Sequence, residues 1–143
     1  MLGTAFLFDK EVEDVTLPGG QVVTRDMPKA PDLTVNGLVR KSWLVGSEGK
    51  IDAQVSFDWT DDSYSSVTNA PATFLESYTI VDARISYFGN GGQWWVALFG
   101  KNITDEEAKN FTYDLSDPVS GFGINIQSWR PPRTVGAEFH IEF

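Results

Sequence analysis

The sequence predicts an all-β protein, an antiparallel transmembrane β-barrel segment of about six strands. Three observations predict it. Apolar and polar residues alternate with a period of two in run after run, while a helical period of 3.6 is weak almost everywhere. The connections between the runs sort by length, tight turns against long polar stretches. Aromatic residues gather where the runs end.

The first run, "LGTAFLFD" (2–9), is the least regular. "DLTVNGLVRKSW" (32–43) sets Leu33, Val35, Gly37 and Val39 against Thr34, Asn36, Leu38 and Arg40. Lys41 continues the Leu33 face, so it either snorkels from the strand end or marks a bulge. "KIDAQVSFDWT" (50–60) is the clearest, with Ile51, Ala53, Val55, Phe57 and Trp59 on one face and Asp52, Gln54, Ser56, Asp58 and Thr60 on the other. "YTIVDARISYF" (78–88) places Thr79, Val81, Ala83, Ile85 and Tyr87 together. "QWWVALFGKNIT" (93–104) is apolar on both faces through most of its length. "TVGAEFHIEF" (134–143) puts Val135, Ala137, Phe139, Ile141 and Phe143 on one face, with no large hydrophobe on the other.

Two connections are short, "GSEG" (46–49) and "GNGG" (89–92), with the Gly and Asn that tight turns need for positive φ. Three are long, roughly 11–31, 61–77 and 105–131, and rich in loop formers. Transmembrane barrels divide their connections this way, with tight turns on one side and long loops on the other. A strand of about 11 residues, tilted by about 45°, spans roughly 26 Å, the height of a barrel's apolar band. The apolar faces at 51–59, 79–87 and 135–143 hold no Asp or Glu. A carboxylate facing lipid is costly, whereas one facing a lumen is solvated. Alternation alone also suits a half-exposed soluble sheet, so a complete β-sandwich or small barrel that binds a ligand is the rival expectation. Trp43, Tyr87, Trp94 and Trp95 fall near the short-turn ends and Trp59 near the long-loop end, the places that interfacial aromatics occupy.

Composition excludes other classes. Eleven Lys and Arg against 20 Asp and Glu leave a net charge of -9, which argues against nucleic acid and against docking on anionic lipid. The absence of cysteine excludes disulfides and thiolate metal sites. No 18-residue apolar run marks a transmembrane helix, and "MLGTAFLFDKEVED" does not read as a signal peptide. His140, the single histidine, stands between Glu138 and Glu142 on a polar strand face and reads as a lumen or surface residue. "DWTDD" (58–62) lacks the spacing of a calcium loop, "GNGG" precedes no helix that could cradle phosphate, and "DEEA" (105–108) predicts at most a short helix. No enzyme chemistry, metal or cofactor is expected.

"VALFGKNITDEEA" (96–108), a long loop, and "PPRTVGAEFHIEF" (131–143) together resemble the C-terminal end of TonB-dependent outer-membrane receptors. "KAPDLTVNG" (29–37), where a Pro opens a strand after a long loop, and the order of elements over 78–108 resemble it too. The resemblance covers nearly the whole chain. It implies a 22-stranded barrel with an N-terminal plug, which imports siderophores or other scarce nutrients and is energised through TonB. About six strands make a part of such a barrel, so the expectation is a fragment of a receptor whose plug lies elsewhere. Its partners are then outer-membrane lipid and the barrel-assembly machinery, with TonB reached only through the plug. The final Phe139, Ile141 and Phe143 resemble that machinery's assembly signal. Ligand contacts are expected in the long loops, at Asp61, Asp62, Tyr64, Phe111, Tyr113 and Trp129.

Overall fold

A computed structural model describes residues 1–17, 19–116 and 122–142. Its strands are, in chain order, β1 (Leu2–Phe6), β2 (Glu11–Thr16), β3 (Val22–Asp26), β4 (Leu33–Val45), β5 (Gly49–Thr60), β6 (Ser63–Tyr64), β7 (Phe74–Leu75), β8 (Tyr78–Gly89), β9 (Trp94–Lys101), β10 (Lys109–Leu115), β11 (Ile124–Trp129) and β12 (Thr134–Ile141). The protein is all-β; the helical content among the described residues is two single turns, at Pro71–Thr73 and Asn90–Gly92. Six strands form one antiparallel sheet in the order β1-β4-β5-β8-β9-β12. These are the six runs of the sequence, joined as a meander.

The long connections differ from the expected loops. Each carries a two-stranded antiparallel ribbon: β2 with β3, β6 with β7, and β10 with β11. Their strands are short and their sequences polar or mixed on both faces, so no period of two marks them. The expected helix at 105–108 is absent. The Asn102 side chain takes the Glu106 N–H at 2.9 Å, and Asp105 lies at φ 59, so the chain cannot start a right-handed turn there.

The register between β4 and β5 is unbroken from Thr34↔Thr60 to Val45↔Gly49. A bulge at Lys41 is therefore ruled out. Its ammonium lies 5.5 Å from the ring centre of Trp43, two residues nearer the short turn, as snorkelling requires. At the "GNGG" turn, Asn90 (φ 50), Gly91 (φ 66) and Gly92 (φ 103) all occupy the left-handed region, and the Gly91 N–H donates to Glu48 C=O at 3.1 Å in the neighbouring turn.

Among the described residues the buried apolar side chains are Ala30, Leu75, Ala97 and Ala108. None belongs to the apolar face of the main sheet. Burial concentrates instead where the three long connections meet, around Ser65, Thr73 and Thr112.

Candidate functional site

Pairing carries the alternation of single strands across the sheet in rows. One row is Val39, Val55, Ala83, Gly100 and Val135. The next, toward the short turns, is Lys41, Ala53, Ile85, Leu98 and Ala137. The third is Trp43, Ile51, Tyr87, Val96 and Phe139. Toward the long connections the face continues with Gly37, Phe57 and Val81, then Val35, Trp59 and Thr79. Lys41 is the one charged residue in these rows. The face lies open: Val39 is 73% exposed, Leu98 59%, Val135 75% and Phe139 67%. A contiguous exposed apolar surface of this kind is one that another apolar layer, protein or lipid, would cover.

The opposite face is polar and internally paired. Asp52, in β5, receives Arg40 at 2.5 Å and Lys50 at 3.0 Å on the same oxygen. Arg84 reaches from β8 across β9 to Glu138 on β12 at 2.6 Å, over the small Ala97. His140 stacks on Trp95, with centroids 5.6 Å apart and planes 15° apart, and the Arg84 guanidinium stands 5.6 Å from the same indole. His140 thus belongs to a stacked cluster on the polar face.

The aromatics expected at a membrane boundary separate by face. Trp43, Tyr87 and Trp94 share the apolar face at its short-turn end, with Tyr87 and Trp94 5.4 Å apart. Trp59 stands on the same face near the long connections, between Val35 and Thr79. Trp95, adjacent to Trp94, must point the other way in a strand, and it joins the polar face. Phe139 and Ile141 lie on the apolar face of β12, and Phe143 is outside the described residues.

The expected ligand contacts fall into four groups. Asp61 and Asp62 follow the end of β5, where the Asp61 N–H donates to Leu33 C=O at 3.0 Å. Tyr64 meets the edge of Phe74 at 5.4 Å, and its C=O accepts the Lys29 N–H at 2.7 Å. Phe111 and Tyr113 stack along β10 at 6.3 Å, with the Lys29 ammonium 5.3 Å from the Phe111 ring. Trp129, on β11, walls a cleft of about 310 Å³ with Tyr78, Glu76, Glu106 and Glu107. Among the described residues no group of three acids or histidines is placed to hold a metal ion.

Sequence reading missed the residues that hold this end together. Asn69 accepts the Asp26 N–H at 2.8 Å and donates to Asp26 C=O at 3.2 Å, tying the first long connection to the second. Ser65 ties the second to the third at Thr112. Asn102, 3% exposed, donates to the carbonyls of Glu106 (2.9 Å) and Pro131 (3.3 Å), while its own N–H meets the Asp82 carboxylate at 2.9 Å. Only Asn102 had a signal in the sequence, the Asn-Ile-Thr-Asp step after a strand. Comparison with models of protein families, with curated proteins and with solved structures found no match.

Proposed function

We propose that the six-stranded sheet is part of the wall of an outer-membrane β-barrel, in a receptor of the TonB-dependent kind that takes up scarce nutrients. The observation that carries this is the exposed apolar face, five strands wide in its best-defined rows, with Lys41 as its single charge. A soluble sandwich would lay a second layer over such a face, and among the described residues only its glycines, such as Gly37 and Gly100, are buried. Lipid supplies that layer in a barrel, and Trp43, Tyr87 and Trp94 then stand at its boundary. The polar face, with its ion pairs already closed, suits a lumen. The ladders between neighbouring strands satisfy the backbone groups that lipid cannot. The two outer edges, β1 and β12, need neighbouring strands for the same reason.

The narrower assignment rests on the resemblance at 96–108 and 131–143, and the two segments have a joint physical role. Asn102 and the Asp105–Arg133 pair (3.0 Å) pin the exit of β9 to the entry of β12. In this reading the long connections lie outside the cell and the protein is a transporter, not an enzyme.

A charge scan tests the membrane reading. Val55→Arg and Ile85→Arg are expected to lower folding stability in lipid vesicles by about 2–4 kcal/mol, and Ser56→Arg, on the polar face, by far less. Equal losses on both faces would remove the basis for the reading.

A further inference from the structure

We propose that Lys41 and the groove beside it on the apolar face form a seat for one phospholipid, with the lipid phosphate on the Lys41 ammonium and an acyl chain in the groove. Such a seat rests on the membrane reading of this face and adds to it a particular headgroup at a particular place. Lys41 is the one charge in the apolar rows, and among the described residues it forms no ion pair. Its ammonium stands 5.5 Å from the ring centre of Trp43, two residues nearer the short turn. An ammonium beside an indole at the end of an apolar band lies at headgroup depth. An ammonium there calls for an anion within hydrogen-bond reach, and the anion that a bilayer holds at that depth is the lipid phosphate.

The groove opens beside the lysine stem. Ala53 lies directly opposite Lys41 on β5, and its methyl group leaves that space unfilled. From Ala53 the groove, about 680 Å³, steps across the strands past Ala83 on β8 to Gly100 on β9, flanked by Val55, Ile85, Leu98 and Val135. These four side chains are exposed and larger than the floor between them. An acyl chain is slender and has no polar atom to satisfy, so it suits a shallow apolar groove. A second copy of this chain suits it less, because its apolar face carries the same lysine and brings no anion. A net charge of -9 disfavours lipids of net negative charge, so the headgroup is zwitterionic, as phosphoethanolamine is.

Lipid retention tests the seat, with phosphatidylethanolamine as the probe. The whole chain is refolded in micelles of a non-ionic detergent and weighed intact by native mass spectrometry. One lipid molecule per chain should be retained. Lys41→Gln should weaken retention about tenfold, the size of a lost charge-assisted hydrogen bond, and Lys41→Arg should keep it. Neither substitution adds a charge to the apolar face, so both variants should still fold. Ala83→Leu, which fills the groove, should weaken retention several-fold. Diacylglycerol with the same acyl chains should bind the unsubstituted protein no better than phosphatidylethanolamine binds Lys41→Gln, and glycerol phosphate should not bind. Equal retention by Lys41→Gln, equal retention of diacylglycerol, or unchanged retention by Ala83→Leu would each overturn the seat. A chain that inserts into vesicles and passes the charge scan yet retains no lipid would overturn the seat and leave the membrane reading standing. A monomer stable in plain buffer, with this face protected there, would remove both.

Discussion

At the scale of single residues, Asn102 shows how one side chain organises a connection. It sits at φ 49, a conformation that Asn tolerates better than most residues, and its amide closes on both Glu106, in the next turn, and the distant Pro131. Asn102→Ala leaves the Glu106 N–H and two carbonyls without this partner in a partly buried place. The expected loss is about 2–3 kcal/mol of stability, read as a lower urea midpoint of the detergent-held sheet. Asn102→Gly relieves the backbone conformation alone and should recover only a minor part. Full recovery by Gly would mean that the backbone conformation, and not the clamp, is what matters. The sequence showed Asn102 as part of a recurring step but could not show its partners, because Pro131 lies 29 residues away. Ser65 and Thr112 carried no signal, since a Ser or Thr in a polar connection looks the same whether it is buried or solvated.

At the scale of elements, the six strands of the main sheet were legible and the three ribbons were not, for one physical reason. A strand in the main sheet divides two environments and must alternate. A ribbon such as β2–β3 packs little on either side, so its sequence is free. Within the sheet, glycines pair with aromatic rings that lie over them. A Cβ added at Gly37 would stand 2.4 Å from the Phe57 ring, and one at Gly136 would stand 2.5 Å from Phe99. The rings cover backbone that a missing side chain leaves bare. Gly37→Val should displace Phe57 and cost about 1–3 kcal/mol, visible as faster exchange along β4 and β5, whereas Thr34→Val on the same strand should be nearly neutral. The staple from Lys10, beyond β1, to Asp32, before β4, adds a pH dependence. The hydrogen bond that the Lys10 ammonium donates to Asp32 raises its pKa above 10.5, against a smaller effect of burial. A raised ammonium pKa stabilises the fold fully below 10.5 and loses that contribution as pH climbs through the higher folded value. Exchange at Leu2–Phe6 should therefore quicken above that range sooner than exchange in β5, and Asp32→Asn should remove the difference.

At the scale of the molecule, the balance of burial decides the solvent. Among the described residues the buried apolar side chains are three alanines, Ala30, Ala97 and Ala108, and one leucine, Leu75, which together provide little of the apolar burial that a chain of 143 residues needs against its conformational entropy. The larger apolar residues, among them Val39, Val55, Ile85, Leu98, Val135 and Phe139, are largely exposed on one face. In water alone, that face and the open edges of β1 and β12 should drive association between copies, edge to edge and face to face. A net charge of -9 slows this only at low salt, because screening shortens the range of the repulsion. Refolded without detergent, the chain is expected to scatter light and lose protection along β12. In micelles the same chain should give a monodisperse particle with β5 and β8, the central strands, most slowly exchanging. The pairing of Val55 with Ala83 and of Ile85 with Ala53 places those strands at the middle of the apolar band. A monomer stable in plain buffer, with the Val55 face protected there, would show that protein covers this surface and not lipid.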